Sequence, residues 1–409
     1  SRMPKCVALE AWIQAPRGSA RAMESPWSQC ATAVGLVCSH FGAAAPLVCA
    51  RVFGYLDDFP RLAVVGSLDG TVQVLPCSAK RGTLLGGEGR RLVMPGPVHS
   101  VGVFLLPGRR RVVVTGCADG FVRFFSPVGD ALGSFRAYDD SEVYSVQVEA
   151  CPRSGCLFCV TSTGGLTVVE GDAPTGRAFG HLWRLADADA ASPELVARLV
   201  HRFGINGVVL DAGRRLVATA SDDRTAGVFD FTGQRLATCE PHGSFVWEVA
   251  MDAELGLVAT ASEDGNARLF DIGGRCLGCF ACAAGCCEVA LDRGGPTLVA
   301  TSADGTLRLW NIAREPGEAG ALSSLAVGVA QHDTEVHGAA AVLRYGTVLC
   351  GTLAGEVVEW AVDSSATGVS TIAEAAREGT CGEAAQGWHL RPVARRQLFS
   401  AAAVSVAIG

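Results

Sequence analysis

Apolar runs of about four to eight residues, separated by turns containing Gly and Asp, recur along most of this chain. Three of them align closely: LVATASDDRTAGVFD from Leu216, LVATASEDGNARLFD from Leu257 and LVATSADGTLRLWN from Leu298. A second shared piece precedes each, as INGVVLD at Ile205–Asp211, PHGSFVWEVAMD at Pro241–Asp252 and CCEVALD at Cys286–Asp292. Weaker copies are LAVVGSLDGTVQVL from Leu62, VVVTGCADGFVRFF from Val112, LFCVTSTGGLTVV from Leu157 and TVLCGTLAGEVVEW from Thr347. The shared pattern is an apolar run, a turn, a second run, an Asp-Gly-type turn and an alternating run that in most copies ends in an aromatic.

Four short strands in about 40–45 residues are one blade of a β-propeller, and a blade buries its faces only by stacking on neighbours. The expected fold is therefore all-β: a seven-bladed β-propeller of four-stranded antiparallel blades over residues 31–375. Residues 1–30 read as an N-terminal extension and 376–409 as a tail, with loop or linker over 376–396. Thr32–Ser39 and Thr367–Ala373 both suit the outer slot of the last blade. The tail Gln397–Ile408 is a further strand candidate, which leaves an eighth, composite blade open. The long gap Asp172–Arg202 reads as an inserted loop containing LADADAASPE.

The units resemble WD (Trp-Asp) repeats. Asp69, Asp119, Asp223, Asp264 and Asp304 match the family's turn Asp, and His201, His242 and His332 match its His. Phe125, Phe229, Phe270, Trp310 and Trp360 stand at the terminal aromatic. The resemblance implies that His201/Ser221/Asp223 and His242/Ser262/Asp264 form buried hydrogen-bond networks tying the turns together, not catalytic triads. It also implies a platform for binding other proteins within a larger complex. Two other roles stay open: a substrate receptor of a ubiquitin ligase, loosely suggested by Trp310–Arg314, and a structural component of a ciliary or cytoskeletal machine.

Two groups are candidates for partner binding. Turns between first and second strands carry Arg109, Arg110, Arg111, Arg153, Arg214, Arg215, Arg293 and Arg344, while the opposite rim carries Asp69, Asp119, Asp222, Asp223, Glu263, Asp264 and Asp304. The expectation is one basic face, suited to acidic protein segments, and one acidic face. Residues at the start of the innermost strands, near a central channel, are His99, Tyr144, Phe245, Trp247 and His337. Aromatic residues there suit an interface.

Composition narrows the classes. Net charge is −7, with 18% charged residues, a poor profile for a general nucleic-acid binder. No P-loop, HExxH or GxSxG motif occurs, so neither an enzyme nor a metal or organic cofactor is implied. No run reaches the ~18 apolar residues of a spanning helix, and residues 1–30 lack the apolar core of a secretory signal. Seventeen scattered cysteines, an odd number, fit a reducing intracellular compartment, the cytoplasm ahead of the nucleus. The run CLGCFACAAGC from Cys276 has the C-x2-C-x2-C-x3-C spacing of an iron–sulfur site. The repeat places Arg275–Phe280 on an outer strand, where alternate residues point apart, so inert thiols are expected rather than a cluster.

Overall fold

The computed structural model describes residues 51–52, 61–77, 89–106, 110–164, 178–186, 193–282, 284–292, 297–314, 322–332, 336–342, 347–352, 354–363, 389–397 and 403–408. The chain divides into Ser1–Ala45 and Pro46–Gly409, and every described strand belongs to the second unit. The expected strand at Thr32–Ser39, its alternative at Thr367–Ala373, and Arg109, Arg293 and Arg344 lie outside the described residues.

The second unit is an all-β propeller. Its chain opens with β1 (Arg51–Val52), β2 (Arg61–Ser67), β3 (Thr71–Cys77) and β4 (Arg90–Val93). Next come β5 (Val98–Leu105), β6 (Arg111–Cys117), β7 (Phe121–Phe125) and β8 (Ala131–Arg136), then β9 (Ser145–Ala150), β10 (Leu157–Ser162), β11 (Ala178–Leu185) and β12 (Glu194–His201). The central repeats give β13 (Ile205–Asp211), β14 (Leu216–Ser221), β15 (Ala226–Asp230) and β16 (Arg235–Thr238), and β17 (Val246–Asp252), β18 (Leu257–Ser262), β19 (Asn266–Asp271) and β20 (Cys276–Ala281). Then follow β21 (Cys286–Asp292), β22 (Thr297–Ser302), β23 (Thr306–Arg314) and β24 (Leu322–Gln331), and β25 (Val336–Val342), β26 (Thr347–Thr352), β27 (Glu356–Asp363), β28 (His389–Gln397) and β29 (Ala403–Ile408). Six sheets take four consecutive strands each, from β5–β8 to β25–β28, all antiparallel. A further sheet has the order β1-β29-β2-β3-β4, with β29 antiparallel to β2 and parallel to β1.

Burial explains the runs. The second strands β18 and β22 are buried at every position, because both faces are covered by neighbouring blades. They therefore read as continuous apolar-plus-Thr segments rather than alternating ones. Outer strands are more open: β16 alternates between half-buried and exposed, and β8 buries only Phe135. The core lies between sheets: Phe158, Val160, Leu182 and Leu199 of one blade meet Val208, Leu210, Val217 and Phe229 of the next. The Asp-Gly turns follow from backbone geometry. Gly120 has φ +80°, and a Cβ there would meet the Tyr138 carbonyl oxygen at 2.4 Å.

Two expectations are corrected. Residues 389–396, read as linker, belong to β28, the outer strand beside β27. Its sequence HLRPVARRQ lacks apolar alternation because an edge strand faces solvent on one side, and Pro392 sits opposite Trp360 beside a register shift, where its missing N–H is tolerated. The supposed inserted loop over 172–202 contains β11 and β12. That blade's third strand lies later in the chain than the copy from Leu157 implies; Trp183, paired with Cys159, occupies the place that Phe229 takes opposite Val217.

One device repeats at the inner strands. The register of β5, β13, β17, β21 and β25 with its neighbour skips one residue near the start. These bulges make His99, Asn206, Trp247, Cys287 and His337 the extra residue of each inner strand. A bulge re-aims its extra side chain and bends the strand.

Candidate functional site

The histidine networks hold two blades together locally. His201 Nδ1 lies 2.9 Å from Asp223 Oδ2, and His242 Nδ1 lies 3.0 Å from Asp264 Oδ2. A carboxylate only accepts, so Nδ1 carries the proton and donates. Nε2 is then an acceptor, and it takes the hydroxyl of Thr219 or Thr260 at 2.7 Å. Burial holds His201 and His242 below their ordinary pKa, the nearby aspartates only partly offsetting it. For Asp264, burial pushes upward, but the Gly243 N–H and His242 outweigh it and the carboxyl stays below its ordinary range. Ser221 and Ser262 do not bind the histidines. Each donates to a carbonyl, of Phe203 or Phe245, and accepts the N–H of the turn Asp. The threonines are the members that sequence reasoning missed, because Thr in a strand also reads as a plain β-former.

Other blades vary the arrangement. His332 Nε2 accepts from Trp360 Nε1 at 3.0 Å and lies 3.3 Å from Cys350 Sγ, a thiol pushed up to about 12 by burial. In the β9–β12 blade Tyr138 replaces the histidine: its hydroxyl is 2.9 Å from Thr161 Oγ1, which also accepts from Trp183 Nε1 at 3.0 Å.

The expected split into a basic and an acidic rim is not what the topology builds. Antiparallel order puts the third-to-fourth-strand turns on the same rim as the first-to-second-strand turns. Asp130, Asp230 and Asp271 therefore stand among the arginines, and Arg214 lies 3.9 Å from Asp211. On the opposite rim the turn aspartates are engaged: Asp119 with Arg123 (2.9 Å), Asp264 with Arg268 (3.5 Å), Asp304 with Arg308 (3.4 Å), and Asp69 with the Thr71 N–H (2.8 Å). Arg110, Arg153, Arg214 and Arg215 are exposed. Arg215 also stacks over Phe231, 5.2 Å from the ring centre.

The inner-strand candidates meet in pairs. His99 stacks on Tyr144 with centroids 5.3 Å apart, and its Nε2 lies 2.7 Å from Glu142 Oε2. Phe245 and Trp247 pack edge-on at 6.2 Å, and both are half-buried. Asn206, missed by sequence reasoning, links one bulge to the next, donating to Asp222 Oδ1 at 2.6 Å and to the Val246 carbonyl at 3.0 Å. Burial pushes Asp222 up to about 6, partly offset by Asn206 and reinforced by Asp223 and Glu263. The side chain of His337 lies outside the described residues.

The cysteine run behaves as blade chemistry. Cys276 is half-buried and Cys279 exposed on β20, and Cys286 starts β21 within the core. Among the described residues no group of three or more His, Cys, Asp or Glu side chains could hold a metal ion. No helix among the described residues is long and apolar enough to cross a membrane.

Residues 233–271 and 274–311 each match a family model described as WD domain, G-beta repeat. No curated protein matches the chain. Of solved structures, 1553 chains match. One is the computationally designed Ika8 protein, 17% identical with a TM-score of 0.51, the match covering 77% of this chain and 97% of that one. At that identity the likeness concerns the fold alone.

Proposed function

The chain carries WD40 repeats in an all-β propeller, and from that premise we propose that it is a non-catalytic protein-interaction scaffold or adaptor within a multiprotein assembly. WD40 domains generally bind proteins and are usually non-catalytic. A fold by itself fixes no function, so the reading rests on a site. The observation that carries it is the row of inner-strand bulges, which re-aims Trp247 and its neighbours out of the ladder. Half-buried aromatics of this kind, Tyr144, Phe245 and Trp247, have the composition of interface anchors. A second contact is an acidic segment on the exposed arc of Arg153, Arg214 and Arg215. The same reading takes the ring as seven-bladed, with β29 as the inner strand beside β2: strands β28 and β29 fill existing sheets, and none of the described strands is left for an eighth blade. The unit Pro46–Gly409, with β28 and β29 included, then forms one interaction domain, placed in the cytoplasm.

Affinity capture with mass spectrometry tests this, using wild type, Trp247→Ala and the double reversal Arg214→Glu/Arg215→Glu. Trp247→Ala is expected to lose at least one specific partner while its melting temperature stays near that of wild type. Loss on the arginine reversal alone would move the partner to the other rim. Identical partner sets in all three would sink the proposal.

A further inference from the structure

The end of the β9–β10 hairpin holds two cysteines outside every network described above. Ala150 pairs with Leu157, and the ladder continues one step: the Cys151 N–H donates to the Cys156 carbonyl at 2.8 Å. The intervening Pro152–Gly155 turn is closed by the Gly155 N–H donating to the Cys151 carbonyl at 2.9 Å, with Gly155 at φ +69°. Directly opposed residues of an antiparallel pair share a face, with Cβ atoms about 4.5–5.5 Å apart. A disulfide needs about 3.5–4.5 Å, so closing this turn by about an ångström would suffice. Both side chains do share a face, packing as half-buried groups against the same core cluster as Phe158 and Phe231.

Cys151 is also set apart electrostatically from the buried thiols. Burial pushes Cys159 well up and Cys239 up to about 12, which keeps them protonated and inert. Cys151 is instead held below its ordinary value by the Ser154 hydroxyl and the Ser154 and Arg153 N–H groups, with the Arg153 charge adding to them. Thiolates beside arginine and backbone donors, partly exposed, are the reactive class.

We propose that Cys151 and Cys156 are a redox site, a reactive thiol and its resolving partner, which hydrogen peroxide converts to a cross-strand disulfide. The Cys151 thiolate attacks one peroxide oxygen; the O–O bond breaks, and the departing hydroxide takes a proton to become water. The sulfur is left as a sulfenic acid. Cys156 then attacks that sulfur, forming the S–S bond. The sulfenic hydroxyl leaves with the Cys156 proton as a second water. Two thiols and one peroxide thus give one disulfide and two waters, and a strained, partly exposed disulfide of this sort is readily reduced again by a thiol. In a reducing compartment such bonds are transient and sensory.

The full chain is treated with hydrogen peroxide, remaining thiols are blocked with N-ethylmaleimide, and the non-reducing digest is read by mass spectrometry. The expected product is the Cys151–Cys156 bridge, formed before the exposed Cys279 is oxidised and removed by dithiothreitol. Cys156→Ser should stop at a sulfenic acid on Cys151, trapped by dimedone. Cys151→Ser should abolish both products while Cys156 remains alkylatable. Ser154→Ala should slow bridging several-fold at unchanged melting temperature. The proposal is overturned if Cys151 and Cys156 are still alkylated once Cys279 is oxidised, or if Cys282 and Cys286 bridge first, since the Cys282 thiol is likewise held below its ordinary value, by its hydrogen bond with Cys286.

Discussion

Phe229 and Phe270 lack the indole donor that Trp360 gives to His332, and the histidine's second nitrogen is served by a threonine instead. The network is therefore still closed, and opening it leaves a buried polar group behind. His242→Ala or Asp264→Ala should cost about 2–4 kcal/mol, read as a lower denaturation midpoint; a wild-type melting curve would refute the network. The same residues set a pH dependence. In the native state His201 and His242 stay neutral below their ordinary value of 6.5, while Asp223 and Asp264 stay ionised below 3.8. As pH falls through the histidines' ordinary value the unfolded chain binds protons that the native chain refuses, so stability drops. A second loss begins as the unfolded aspartates protonate. Melting temperature should fall between about pH 7 and pH 5, and His242→Gln should flatten that slope. The His–Asp spacing was legible because it repeats. Thr219, Thr260 and the Arg123, Arg268 and Arg308 partners of the turn aspartates were not, since each also reads as an ordinary strand residue.

Elements with a buried face on both sides were the legible ones, because neighbouring blades impose a continuous apolar run. The outer β28 and the pair β11–β12 were not: Pro392, Arg395, Arg184, Glu194 and Arg198 are exposed, and Pro392 and the arginines break the alternation that identifies a strand. The turns carry a finer signal. Gly70, Gly120, Gly265, Gly305 and Gly355 all take positive φ after the turn Asp or its equivalent, but the β14–β15 turn puts Arg224 there at φ 72°. A side chain in that region costs about 1–2 kcal/mol, part of which glycine returns through a more flexible unfolded state. Arg224→Gly should therefore raise the melting temperature by a small amount; a decrease would mean that the arginine contributes contacts outweighing its strain.

Blades are joined along their inner strands by side chains as well as by apolar packing. The Ser145 hydroxyl, Gln147 Oε1 and Glu149 Oε2 accept from the N–H groups of Val208 (3.4 Å), Leu210 (2.8 Å) and Ala212 (3.0 Å), alternate residues of β9 meeting alternate residues of β13 and the residue just past its end. The two strands therefore run in the same direction, and the inner edge of β13 is satisfied by side chains of the preceding blade. Gln147→Leu keeps the volume and strands the Leu210 N–H, so it should cost about 1–3 kcal/mol, measurable by denaturant titration. A slip by one residue would turn all three acceptors away together. The pairing of β29 with β2 has a consequence in time rather than in space. Ala63, Val64 and Val65 are wholly buried, yet their inner partners are Ile408, Ala407 and Val406. During synthesis β2 emerges long before β29, and until then it offers water an apolar strand with an open edge, the kind of surface that recruits chaperones or other chains. Removing Ala403–Gly409 makes that interval permanent, and the truncated chain should aggregate on expression.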